Sequence, residues 1–317
     1  MRSVVLSFVA LWFVVSPAHA WHETGHKKTA EIAFNQLNDE QQLSVARILR
    51  AHPRFGPDFA AAMPQDIVSG SNKDKDMWLF QRASYWSDLV PNISDAVRTK
   101  YHRGTWHYIN MPVYLTDDDE KELAGKLSHN MSTTFNPPLR QNLNVMQALK
   151  GNLAVWRDDN ASDADKAVAL CWILHLTGDL HQPLHNVALF SRAFFPEGDR
   201  GGNSIAIERT GRDSNLHAVW DGSPRSDDDF TPDAGTNSKL ANDYINSREI
   251  DGWLSEHQLL AMDYVYADEV RSKLLKRASI QQNPQISLSQ EYLSTAKQVA
   301  IPQVIIAGHR IAVLLTE

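Results

Sequence analysis

A single cysteine, Cys171, stands in the 317 residues of this chain, so no internal disulfide can brace it. Positive charge is also short, with 31 Lys and Arg against 38 Asp and Glu for a formal charge of −7. A chain of that sign is a poor match for duplex DNA gripped through its phosphates by Lys and Arg. If it handles polyanions, bound metal ions are the natural source of positive charge. Bilayer-spanning runs are missing too. Residues 4–15 are apolar but fall short of the roughly 20 residues a membrane helix takes, and charges interrupt each later run, so no membrane insertion is expected. Repeats, linkers and low-complexity segments are lacking as well. The chain reads as one domain, long enough for a single large core.

What is present begins with a leader. Arg2, the apolar residues 4–15 and Ala18-His19-Ala20 have the layout of a secretory signal cleaved before Trp21. Residues 1–20 are then removed, and residues 21–317 form an exported domain, periplasmic or secreted. Losing Arg2 leaves 30 basic against 38 acidic residues, a charge of −8. Cys171 sits in an apolar helical run beside Trp172 and reads as a packed core thiol.

Helical periodicity dominates the rest. Helices are predicted over 24–37, then from the Asn38 cap, with Gln41 as its capping-box partner, to Ala51. Others are expected over 74–86, 120–127, 138–156, 167–176 and onward, 214–221, 255–277 and 287–315, the last kinked at Pro302. A short helix or turn containing Pro64 covers 59–70, and the aromatic-rich stretch 101–115 reads as extended or irregular. Residues 197–211 are glycine-rich, with 204–208 alternating like one arm of a short hairpin, and Asp227-Asp228-Asp229 reads as a solvated loop. The fold class is therefore mainly α.

Chemistry concentrates in Ile173-Leu174-His175-Leu176-Thr177-Gly178-Asp179-Leu180-His181-Gln182-Pro183-Leu184-His185. His175 and Asp179, four residues apart, share a helical face, where imidazole and carboxylate can grip one divalent cation or share two. Pro183 ends or kinks the helix and lets His185 turn toward the same cavity. Asn215-Leu216-His217-Ala218-Val219-Trp220-Asp221 repeats the His-x-x-x-Asp spacing. Signal cleavage would expose Trp21-His22-Glu23-Thr24-Gly25-His26, whose free α-amine titrates near pH 8 and can act as a nitrogen ligand. Trp86-Ser87-Asp88 and Trp106-His107-Tyr108-Ile109-Asn110 would each, alone, read as packing or capping. Together they supply many metal-grade groups.

In this combination the chain resembles the trinuclear-zinc single-strand nucleases of the P-one and S-one type, which share a fold with zinc-dependent bacterial phospholipases C. The likeness spans essentially the whole mature chain. It is carried by Trp21 with His26 five residues on, Trp-Ser-Asp ending at Asp88, His107-Tyr108, the run from His175 to His185, Gly201-Gly202-Asn203 and Asn-Leu-His-x-x-Trp-Asp ending at Asp221. It implies a single-domain multi-helix bundle with a short β-hairpin. It also implies three Zn2+ ions: one held by Asp88, His107, His175 and Asp179, a second by the Trp21 amine and carbonyl, His26 and Asp179, and a third by His185, His217 and Asp221. Asp88 and Asp179 are the carboxylates expected to carry catalysis. Tyr108 would stack a nucleobase, with Asn110 and Asn203 at its edge; Asn110 departs from the acidic residue expected in the fungal enzymes. The fungal disulfides are impossible here.

The implied reaction is in-line hydrolysis of single-stranded DNA and RNA by metal-activated water, leaving 5′-phosphates, with removal of 3′-phosphates from 3′-nucleotides as well. A monomer is expected. His22, His52, His102, His129, His181, His257 and His309 are left to surface or supporting duty. Two other functions fit the same ligands: a phospholipase C on this scaffold, and an exported zinc-binding protein without turnover. Asp221 and the Trp21–His26 spacing favour the nuclease over the lipase.

Overall fold

The computed structural model describes residues 21–208, 214–230 and 249–316; the leader read at residues 1–20 lies outside them. Helix Asp163–Leu180 is the axis of the molecule. Ser162 caps it, the Asp165 amide donating to the Ser162 hydroxyl at 3.1 Å. All residues from Ala169 to Leu180 are buried, the environment that a helix apolar on every side demands. Packed against it are Glu23–Gln36, Asp39–Arg50, Asn72–Ser84, Val145–Arg157 and Gln290–Thr316. Cys171 is a free thiol inside this core, and burial pushes its pKa up.

The C-terminal helix Gln290–Thr316 departs from expectation in one respect. It is 27 residues long, with a mean hydropathy of 1.6 over its most apolar window, long and apolar enough to cross a membrane, although charges had seemed to break every run. Of that window 67% is buried, so its apolar surface is spent on the core. It crosses the N-terminal helix closely: a Cβ on Gly308 would lie 2.6 Å from Ile32 Cβ and 2.9 Å from the Thr29 carbonyl oxygen. Any side chain there would force the two helices apart.

The predicted caps are where the helices start. Gln41 N–H donates to the Asn38 side chain at 2.9 Å and the Asn38 amide to Gln41 Oε1 at 2.9 Å. Two predicted helices are shorter than their apolar pattern. The 138–156 helix begins at Val145, because the Asn144–Gln147 capping box closes it there. The 255–277 helix divides into Ile250–Leu260, a wider turn Ala261–Val265 and Asp268–Ser279. Neither Gly nor Pro marks that break. At the break Tyr266 is fully buried and donates its hydroxyl to Asp199 at 2.7 Å.

Strands are few and short. β1 (Met111–Tyr114) runs parallel to β2 (Val187–Phe190), pairing Met111 with Val187. β3 (Ala206–Ile207) runs parallel to β4 (Gln285–Ile286). The expected hairpin is one antiparallel bridge wide, Ala206 to Asn215; residues 209–213, part of the glycine-rich stretch, lie outside the described residues. The β1–β2 ladder matters most for function. It continues backward through Ile109 N–H to the His185 carbonyl (2.8 Å) and Met111 N–H to the Asn186 carbonyl (3.1 Å), fixing the 107–110 segment beside the end of the central helix.

Candidate metal centre

Each group of sequence-predicted ligands arrives on a different element, and each element is held by bonds that sequence does not show. The central helix supplies His175 and Asp179, one turn apart and fully buried. Past Pro183, the turn Pro183–His185 aims His185 back toward them. The turn Trp86–Leu89 carries Asp88; the Trp86 indole donates to Asp58 at 3.0 Å, and Arg54 clamps the same carboxylate with bonds of 2.9 and 2.6 Å. His26 comes from the N-terminal helix. It fits only because residue 178 is glycine: a Cβ there would meet His26 Nδ1 at 2.7 Å.

Three groups result, each with ligand atoms within 4.8 Å of one another: His26, His175 and Asp179; Asp88, His107 and His175; and His185, His217 and Asp221. In the first, His26 Nε2 lies 3.4 Å and His175 Nε2 3.3 Å from Asp179, on opposite carboxylate oxygens. His107 Nδ1 is 3.1 Å from Asp179, and Asp88 Oδ1 is 3.3 Å from His175 Nε2. In the third group His217 Nε2 stands 3.2 Å from His185 Nε2 and 3.3 Å from Asp221. The nine predicted metal positions are therefore brought together, save that Trp21 contributes no side-chain ligand. Its indole is buried beside Ala300, Val304 and Ile305, while the His22 amide next to it donates to the Asp221 carbonyl at 3.2 Å.

Backbone carbonyls fix the ring tautomers. A carbonyl only accepts, so His175 Nδ1–H must donate to Ser84 (2.9 Å), His185 Nδ1–H to His107 (2.6 Å) and His217 Nδ1–H to Gly201 (2.7 Å). In neutral rings this leaves three Nε2 lone pairs facing inward, the arrangement in which histidine binds metal. Gly201 has φ +60°, and a Cβ there would come 2.3 Å from the Leu184 carbonyl oxygen, so only glycine offers its carbonyl to His217 at this place.

The donor set fits divalent cations. Buried lone pairs facing each other at about 3 Å repel unless a proton or a cation lies between them. Both ring nitrogens of His26 and Oδ1 of Asp179 are buried without a hydrogen-bond partner, a costly state unless something else satisfies them. Burial opposes charge on His175, yet Asp179 and Asp88 outweigh it and lift its pKa to about 9. The cluster attracts positive charge.

Above the cluster opens a cavity of about 630 Å³ lined by Asp88, His107, His185 and His217 and by Tyr108, Asn110 and Asn203. Tyr108 is 39% exposed, its ring free to take a stacking partner. Asn203 donates its side-chain amide to the Arg200 carbonyl at 2.9 Å. Sequence reading missed Arg103 and Arg200, which line the same cavity, and Asp199, which organises the loop between them and His217. Asp199 is fully buried and accepts from the Leu189 and Gly202 amides at 2.9 and 3.0 Å and from Tyr266. Burial raises its pKa to about 6 despite those donors. The glycines around it were the available signal.

Of the histidines left over, three are not at the surface. His52, His181 and His257 are buried: His52 packs edge-on against Trp86, and the other two belong to a network described below.

The chain matches the S1/P1 nuclease family across residues 21–317. Endonuclease 5 of Arabidopsis thaliana is 24% identical over 327 residues, which cover 99% of this chain and 96% of that protein. Endonuclease 2 of the same plant is 25% identical over 224 residues, 69% of this chain and 61% of its own length. Nuclease S1 of Aspergillus oryzae is 40% identical over 53 residues, 17% of this chain and 15% of its own. With a family match over the whole of residues 21–317, the chain belongs to the S1/P1 nuclease family, hydrolases acting on phosphodiester bonds.

Proposed function

We propose that residues 21–317, exported after removal of residues 1–20, are a zinc-dependent endonuclease that cuts single-stranded DNA and RNA to 5′-phosphate products and also removes 3′-phosphates from nucleotides. One observation carries this reading: eight of the nine predicted metal positions, all but Trp21, converge under a cavity that also presents an exposed aromatic ring. The family match favours it over a phospholipase C.

Three zinc ions are the proposed cofactors. Asp88, His107, His175 and Asp179 would hold one, the Trp21 amine and carbonyl, His26 and Asp179 a second, and His185, His217 and Asp221 a third. Bound zinc supplies Lewis acidity and offsets the charge that builds on a phosphate under attack. The chain's own groups do the rest. Asp179 turns one oxygen toward His26 and the other toward His107 and His175, so a single carboxylate serves two ligand groups. The Ser84, His107 and Gly201 carbonyls keep three imidazoles from rotating. Tyr108 offers a platform for a base, and Asn110 and Asn203 stand beside it.

Strand selectivity follows from the platform. A duplex base must be unpaired before it can stack on Tyr108, at a cost of a few kcal/mol, whereas a single-stranded base gains roughly 1–3 kcal/mol there whatever its identity.

The test is direct. Mature protein with zinc restored is assayed on single-stranded DNA, RNA, duplex DNA and phosphatidylcholine vesicles, with zinc counted by atomic emission. Cleavage of the single strands with three zincs per chain is expected. Lipid hydrolysis without nucleic-acid cleavage, or zinc without turnover, defeats the proposal. One extra residue ahead of Trp21 should remove the second zinc; three zincs in that protein would refute the amine ligand.

A further inference from the structure

Two guanidinium groups line the cavity without a carboxylate partner among the described residues. Arg103 precedes the turn Gly104–His107 that carries His107. It is half-buried over the Trp106 ring (5.7 Å) and donates to the Lys100 and His102 carbonyls at 2.8 Å each. Those bonds hold the group in place but leave its charge uncompensated, and burial lowers its pKa. Whereas Arg103 adjoins the turn that carries His107, Arg200 comes from a different loop, one residue before Gly201, whose carbonyl holds His217. Its side chain is exposed and makes no bond to a described residue. Its backbone is left-handed, at φ +61°, a conformation that disfavours any residue with a Cβ and collects at functional sites.

Charge makes these two positions informative. The other cationic side chains of the described structure are mostly paired; Arg50, Arg54, Arg98, Lys150, Arg277 and Arg310 all face carboxylates. A protein with an excess of acid must repel a polyanion over most of its surface. Arg103 and Arg200 are the two Lys or Arg side chains among the residues lining this cavity, and a fork matches a phosphate bidentately.

We infer that Arg103 and Arg200 are phosphate subsites on either side of the cleavage position, so that the preferred substrate is a strand several nucleotides long rather than a dinucleotide or a mononucleotide. This rests on the nuclease reading above. The scissile phosphate is drawn by the metal groups; the flanking phosphates, which a dinucleotide lacks, are drawn by the two arginines. Arg103, already oriented by carbonyls, loses little freedom on binding. Arg200 reaches across from a loop whose shape Asp199 fixes.

The experiment compares kcat/KM on octathymidylate and on dithymidine monophosphate between about 50 and 200 mM salt, for zinc-loaded parent, Arg103→Ala, Arg200→Ala, Arg200→Lys and Arg200→Gly. Each alanine variant should lose about tenfold more on the octamer than on the dinucleotide, and its salt slope on the octamer should flatten by about 0.7, the contribution of one single-strand phosphate contact. Arg200→Lys should recover part of the rate. Arg200→Gly, which relieves the left-handed backbone, should melt no lower than the parent while losing the octamer preference, which separates folding from binding. Equal losses on both substrates, or unchanged salt slopes, overturn the inference. A parent that cleaves neither substrate overturns the nuclease reading with it.

Discussion

Two clusters of buried histidine hang on the same helix, and they differ in what satisfies them. Toward one side, His175 and Asp179 join His26, His107 and Asp88, and both His26 ring nitrogens and Asp179 Oδ1 are buried without a hydrogen bond. One turn on, His181 faces the other way. Its Nδ1 donates to the Thr177 carbonyl at 2.7 Å and its Nε2 accepts from Arg310 at 2.9 Å. Arg310, 1% exposed, is clamped by Glu256 at 3.0 and 2.7 Å and lies over the Trp253 ring. His257 joins this second cluster, its Nδ1 against the Trp253 carbonyl and its Nε2 2.8 Å from the side-chain oxygen of Gln303. The second cluster is complete with protein atoms alone; the first is not. Both clusters bury histidines, so what separates them is what the rings face: a paired arginine and amide in one, other lone pairs and carboxylates in the candidate metal site.

Substitutions can break that comparison in order of expected effect. Asp179→Ala should lose at least about a thousandfold in kcat on single-stranded DNA, with two zincs missing by emission analysis. Near-normal turnover would show that this carboxylate is not shared. Arg310→Ala should act on folding instead: removing one partner of a buried ion pair costs about 3–5 kcal/mol, read as a lower melting temperature, while zinc per folded chain stays unchanged. Zinc loss in that variant would erase the distinction between the clusters.

Tyr108→Ala should raise KM for single-stranded substrate, with a loss of about 1–3 kcal/mol in kcat/KM and no change in zinc. The smallest effect is one of pH. Burial first, then Arg310, holds the His257 pKa down to about 4, below its ordinary value of 6.5. Between those values the unfolded chain binds the extra proton and the folded one does not, so stability falls as pH drops from 6.5 toward 4, by about 1.4 kcal/mol per unit for this group. His257→Gln should flatten that decline in melting temperature measured from pH 7 to pH 5. The parent slope persisting unchanged would remove His257 as a cause.

Two pairs of the candidate ligand cluster were legible because their His-x-x-x-Asp spacing is local; Asp88, His107 and the Trp21–His26 terminus, scattered along the chain, were readable only through the family resemblance. The second cluster was not legible, since His181 and Arg310 are 129 residues apart and no pattern links them. Arg103 and Arg200 were hidden for a related reason, because a missing partner has no sequence signature. The helix break before Tyr266 coincides with a contact no local pattern shows, a hydroxyl meeting Asp199 across 67 residues. The start of the 145–157 helix, by contrast, was available in Asn144 and Gln147 and was outweighed by the apolar rhythm from Leu139 onward.

The ladder from Ile109 to His185 has one more consequence. Tyr108 and His185 are joined through neighbouring main-chain bonds, so on the proposed reading a base stacked on Tyr108 would be held at a set offset from His185, like a stop on a cutting guide. Under that proposal, swapping the aromatic for one of another size would alter how firmly a base is gripped, whereas moving the place where the strand is cut would take an insertion in the backbone between residues 108 and 111.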